Sequence, residues 1–125
     1  HPEQLFVLDH FAKPLIRERQ LEPWSTQLRE LARRPNVYCK VSGLTTEAER
    51  QSWQLSDLRP YLDVALEAFT PARMMFGSDW PMCTLATSSQ RWVDTVTAWI
   101  AALSASERER ILGGTALEAY RLAGP

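Results

Sequence analysis

Apolar positions group into three repeats of one plan: a short apolar run, a polar loop carrying Gly or Pro, then apolar residues at helical spacing. The first run is LFVLDH, Leu5 to His10, preceded by Pro2 and closed by Pro14. Within EPWSTQLRELARR, Trp24, Leu28, Leu31 and Ala32 predict a helix that Pro23 opens and Pro35 ends. In NVYCKVS, Val37, Cys39 and Val41 alternate with Tyr38, Lys40 and Ser42, which predicts a second strand stopped by Gly43. The stretch around Trp53 reads as a loop with one helical turn. From about Asp57, the positions Leu58, Tyr61, Leu62, Ala65, Leu66 and Phe69 form a broad apolar stripe, with Pro60 expected in the first turn. RMMFGSD gives the third strand, and Trp92, Val96, Trp99, Ile100 and Leu103 share one face of the helix behind it. Ser104 and Glu107 have capping-box spacing, and Gly113 with Gly114 is expected to break the closing segment into two short helices.

Strand–helix alternation with strongly apolar strands predicts an α/β fold with a parallel sheet covered by helices. Three such strands alone would leave both sheet edges open. A (β/α)8 TIM barrel runs to roughly 250 residues, so three units suit part of one better than a complete small domain. Residues 1–125 are therefore expected to form one portion of a barrel domain. The chain opens on His1 rather than Met, which fits a truncated or processed product.

Composition narrows the partners. Lys and Arg total 14 against 15 for Asp and Glu, a formal net charge of −1, and 45% of residues are apolar. Neither nucleic acid nor a membrane surface is expected as partner, and no apolar run is long enough to span a bilayer. The two cysteines, Cys39 and Cys83, form no CxxC pair. A structural zinc site is not expected from them, and a reduced, cytoplasmic setting is the default.

The strand ends carry the chemistry. The first strand ends in Asp9 and His10, the second in Lys40 and Ser42, and the third in Ser78 and Asp79. Parallel α/β folds bind ligands at the carboxyl ends of their strands. Each residue also has a plainer reading. Asp79 can cap a turn before Pro81, and His10 can be a core histidine bonded to a backbone carbonyl. Lys40 can snorkel to solvent or pair with a carboxylate. Ser42 and Ser78 read as turn residues bonding backbone, Cys39 as wall packing, and Trp80 as a pocket wall or a cover for the strand end. Trp92 and Trp99 read as core.

LFVLDHFAKP, NVYCKVSGL and MMFGSDWPMC, in that order, resemble the C-terminal part of the amidohydrolase-2 type of TIM-barrel hydrolase. The likeness is to its sugar-lactonase branch, which includes L-fuconolactonase- and L-rhamnonolactonase-like enzymes. The terminal ILGGTALEAYRL is similar to that family's closing helix, with Thr115 where the family usually carries Asn, a change expected to touch a cap. The resemblance implies that the strands are the sixth, seventh and eighth of a barrel. It implies that Asp79 handles the proton of an attacking water and can also touch a divalent metal, zinc first. It assigns His10 to polarising the lactone carbonyl, binding its oxyanion or shuttling a proton, and leaves Lys40 and Trp80 as substrate contacts. The family's HxH metal motif does not occur in these residues, and some relatives in this branch work without metal.

The expectation is thus a hydrolase that opens a cyclic ester, its site completed by a missing N-terminal barrel half or by a second copy of the chain. Two alternatives stand beside it: a decarboxylase or other amidohydrolase-type reaction on the same barrel, and a non-catalytic α/β module. The last would hold His10 and Asp79 far apart or solvated.

Overall fold

All three apolar runs form strands, but each stops short of its polar end. The computed structural model describes residues 1–122. In it β1 is Phe6–Leu8, β2 is Val37–Val41 and β3 is Met74–Phe76. They pair in parallel in the order β1-β2-β3, with Phe6 opposite Val37, Leu8 opposite Cys39, Cys39 opposite Met74 and Val41 opposite Phe76. Strand alternation sets which face is buried: Val37, Cys39 and Val41 are buried, while Tyr38 and Lys40 are half-buried on the other side.

The helices α1 (Trp24–Ala32), α2 (Leu55–Phe69) and α3 (Ser89–Trp99) bring their apolar stripes to that core. Leu28 and Ala32 from α1, Leu58, Leu62 and Phe69 from α2, and Trp92 and Val96 from α3 join Cys39, Val41 and Met74 in one cluster. Both crossovers join parallel neighbours through a helix, which is the βαβ unit the sequence predicts. Trp92 and Trp99 are buried as read from the sequence.

Three expectations need correction. Helix α2 starts at Leu55, earlier than the apolar stripe suggests, because Gln54 and Asp57 form a capping box in which the Gln54 amide donates to Asp57 Oδ2 at 2.8 Å. Pro60 therefore lies past the first turn, and its ring removes the bond to the Ser56 carbonyl on an exposed face. Around Trp53 the chain is a loop in which the Trp53 amide closes one helical turn on the Glu49 carbonyl at 2.9 Å, as read from the sequence, and the indole is buried, donating Nε1 to the Ala86 carbonyl at 2.8 Å under the Arg91 guanidinium. Gly113 and Gly114 do not break the closing segment. Between α4 (Ala105–Glu109) and α5 (Thr115–Ala119) they lie in a π turn, Arg110–Gly114, with Gly114 at helical φ −58° and ψ −42°. The expected Ser104–Glu107 capping box does open α4.

Two long-range polar ties hold this frame. Thr115 is fully buried and caps nothing; its hydroxyl donates to the Pro71 carbonyl at 2.9 Å, fastening the closing segment to the approach to β3. Arg73 spends its guanidinium on three carbonyls, Ala32 at 2.8 Å, Arg34 at 2.9 Å and Val37 at 2.8 Å. Among the described strands, β1 and β3 are the outer ones, and Phe6 on β1 is 48% exposed. Among the described residues no helix is long and apolar enough to cross a membrane.

Candidate active site

The chain leaves β1 through an unusual turn. His10, Phe11, Ala12 and Lys13 all take left-handed backbone angles, with φ of 49°, 53°, 58° and 51°. Side chains disfavour this region by about 1–2 kcal/mol per residue, and none of the four is glycine. What holds the turn is buried. The Phe11 ring has no exposure, its carbonyl accepts the Trp24 indole Nε1 at 2.7 Å, and the Lys13 amide donates to the His10 carbonyl at 2.9 Å. This turn ends β1 at Leu8 and seats His10 against the end of β2.

The exit of β2 is shaped to receive the imidazole. His10 Nδ1 lies 2.6 Å from Ser42 Oγ, and Ser42 is fully buried. Gly43 follows at φ +71°, and a Cβ there would lie 2.6 Å from both Cβ and Cγ of His10. Glycine is needed at this position twice over, for the backbone angle and for the space. Ser42 is thus not the backbone-bonding turn residue the sequence suggests, and His10 bonds a hydroxyl rather than a backbone carbonyl.

Asp79 arrives from the far strand. The Gly77 amide extends the β2–β3 ladder to the Val41 carbonyl at 3.0 Å, and the Gly77 carbonyl accepts Trp92 Nε1 at 2.9 Å. Ser78 Oγ accepts the Trp80 amide at 3.2 Å, in line with its reading as a turn residue. Asp79 itself sits at φ 56°, a region Asp tolerates better than most residues. Its Oδ1 lies 3.4 Å from His10 Nε2, with the two side chains only 16% and 17% exposed.

Two more groups complete the rim. Asp9 Oδ2 lies 3.3 Å from His10 Nε2, while its Oδ1 lies 3.2 Å from Lys40 Nζ. Lys40 thus reaches the site through Asp9. Its stem also fills the space over Gly77, where a Cβ would lie 2.8 Å from Lys40 Cε. Trp80 is 68% exposed and presents its ring to solvent beside Asp79. Next to the site on β2, burial pushes the Cys39 thiol far above its ordinary range, which leaves it an inert packing group.

His10, Asp79 and Lys40 therefore meet at the carboxyl ends of the strands, as their placement in the sequence predicts. Gly43 and Gly77 are not singled out as site residues by the sequence, and Ser42, which it does place at a strand end, reads there only as a turn residue. One signal was available: Ser42 shares the strand parity of Lys40, so both project to the same side of β2. A groove of about 780 Å³ between the loops after β1 and β2 and the start of α2, lined by Ile16, Arg17, Ala48 and Tyr61 among others, shares no residue with this site.

The donors present do not make a metal site by themselves. Among the described residues no group of three or more His, Cys, Asp or Glu side chains gathers to hold an ion, whereas catalytic zinc takes about three protein ligands. His10 Nδ1 is occupied by Ser42, which leaves its Nε2 and the Asp79 and Asp9 carboxylates.

A parallel βαβαβ sheet with a His–Asp pair at the carboxyl ends of its outer strands places the chain among α/β proteins whose ligand sites form at strand ends. More narrowly, the chain belongs to the amidohydrolase family, whose model matches residues 1–122. It is 47% identical over 135 residues to an L-fucono-1,5-lactonase of Burkholderia multivorans, covering 100% of this chain and 46% of that protein. Against the L-fucono-1,5-lactonase of Burkholderia ambifaria the identity is 36% over 133 residues, covering 100% of this chain and 44% of the relative. An amidohydrolase from Burkholderia multivorans, solved with bound zinc, superposes with a TM-score of 0.92 at 46% identity, over 96% of this chain and 45% of the solved one. The chain thus spans a little under half the length of the relatives it matches.

Proposed function

We propose that these residues form the strand-end part of a hydrolase that opens a sugar lactone with water. In this reading β1, β2 and β3 are the sixth, seventh and eighth strands of a (β/α)8 barrel, and residues 1–125 are the C-terminal portion of that one domain. The free outer edges of β1 and β3 are where strands outside these residues would close it. The observation that carries the proposal is the His10–Asp79 pair, 3.4 Å apart and mostly shielded from solvent, assembled from the ends of the two outer strands β1 and β3. A non-catalytic module gives no reason for that approach. The identity to two L-fucono-1,5-lactonases supports a cyclic sugar ester as substrate.

Water attacks the lactone carbonyl carbon while the Asp79 carboxylate accepts its proton. The new C–O bond places negative charge on the former carbonyl oxygen, and His10 stabilises that oxyanion from Nε2. When the tetrahedral intermediate collapses, the ring C–O bond breaks and the departing alkoxide takes the proton back from Asp79. The products are the open hydroxy acid and a regenerated carboxylate. Trp80 offers an exposed ring on which a sugar face can rest, and Lys40, held by Asp9, offers a cation at the rim. The described residues hold no complete metal set, and no step here passes through an ion.

Lactone hydrolysis by the full-length protein carrying Asp79→Asn tests the assignment. General-base catalysis is worth about 10²- to 10⁴-fold, so turnover should fall by that factor with the fold intact. Near-normal turnover would remove Asp79 from the role. A substrate panel run alongside separates reaction types, because release of carbon dioxide instead of acid marks a decarboxylase.

A further inference from the structure

Ser42 has a hydroxyl with nowhere else to turn. The residue is fully buried, so no solvent reaches it, and among the described residues its one hydrogen-bond partner is His10 Nδ1 at 2.6 Å. A buried hydroxyl hydrogen left without an acceptor is costly, so the Ser42 O–H donates to Nδ1. Nδ1 must then present its lone pair, and the imidazole proton resides on Nε2. The other end of the ring agrees independently. Nε2 faces Asp79 Oδ1 at 3.4 Å and Asp9 Oδ2 at 3.3 Å. A bare lone pair there would be repelled by both carboxylates, whereas an N–H is attracted by both.

We propose that Ser42 is a positioning residue that fixes both the ring orientation and the tautomer of His10, making Nε2–H a hydrogen-bond donor aimed beside Asp79. The seat is built for one orientation. Gly43 leaves room for the His10 Cβ and Cγ where any side chain would collide, and the left-handed turn at His10 leaves Nδ1 against Ser42 Oγ. In the hydrolytic reading above, on which this assignment of chemistry rests, His10 is then the oxyanion's donor. The water proton has one acceptor at the pair, the Asp79 carboxylate. The position of the proton itself is a property of the folded site and does not depend on the substrate.

Nitrogen-15 spectra of the full-length protein read it directly, with the His10 signals identified by their loss in His10→Gln. The expected pattern is a protonated Nε2 and an unprotonated Nδ1. Ser42→Ala, with its fold checked by amide spectra, should give a mixture of tautomers. In lactone hydrolysis the same variant should lose about 10- to 100-fold in kcat with KM changed far less, the scale seen when a partner orienting a histidine is removed. Ser42→Thr, which keeps the hydroxyl, should recover the single tautomer. A proton on Nδ1 in the unaltered protein overturns the proposal, and so does a Ser42→Ala spectrum with the tautomer unchanged. Absence of lactone hydrolysis in the unaltered protein would count against the proposed function instead, leaving the spectra to decide on Ser42.

Discussion

Gly43→Ala is a sharp test of how the site is built. The substitution meets two obstacles that can be costed separately. At φ +71° an alanine pays about 1–2 kcal/mol for a left-handed backbone. Its Cβ would also stand 2.6 Å from His10 Cβ and Cγ, far inside contact distance, and the atoms it meets are the root of a side chain rather than a flexible tip. Forcing extra volume into a packed site costs about 1–3 kcal/mol. The expected loss of stability is therefore about 2–5 kcal/mol, with displacement of the imidazole from Ser42. Denaturant unfolding followed by tryptophan fluorescence would show it as a lower midpoint at unchanged slope. Gly113→Ala supplies the control. There the new Cβ meets nothing within 4 Å and the backbone is not left-handed, so alanine should be neutral or stabilising by about 0.5–1 kcal/mol. A Gly43→Ala loss below about 1 kcal/mol, or an equal loss in the control, would refute the account of the His10 seat.

Three further outcomes follow from the same contacts. Trp92→Phe removes the donor to the Gly77 carbonyl and should cost about 1–3 kcal/mol beyond Trp99→Phe, whose indole bonds the exposed Asp63 at 2.9 Å; equal unfolding midpoints would contradict this. Burial holds the Cys39 thiol protonated well above the ordinary value of 9.0. The unfolded chain then binds fewer protons than the native one above about pH 9, so this group's contribution makes stability fall as pH rises, by about 1.4 kcal/mol per unit, and Cys39→Ala should flatten that slope. Calorimetry of these residues alone should detect no stoichiometric zinc at about micromolar concentration, and one tightly bound ion would mean that a complete donor set exists within them.

The elements were legible because their signals are local. Alternation at Val37, Cys39 and Val41 marked β2 and its buried face, and the helical stripes marked α1, α2 and α3. His10 and Asp79 stood out because each follows an apolar run, and Lys40 because it is the cation near the end of the β2 alternation; parallel strands align such ends by construction. What stayed hidden depends on contacts across the fold. Nothing in DHFAK announces a left-handed turn without glycine; the buried Phe11 and the Trp24 indole impose it. Ser42 looks like any strand-end serine until His10 arrives, and Gly43 reads as punctuation until the imidazole occupies the space beside it. Pro60 misled for a related reason, since the Gln54–Asp57 box that starts α2 early lies outside the apolar stripe.

The three carbonyls held by Arg73 have a kinetic meaning. One guanidinium at the approach to β3 closes the last turn of α1 and the start of β2 at the same time. None of the three can fray alone without breaking a bond to that guanidinium. Amide hydrogens at the end of α1, which in an isolated helix would exchange fastest, should therefore exchange together with those of β2 and β3 as one opening unit. The floor under the His10–Asp79 pair is then as slow to open as the sheet itself.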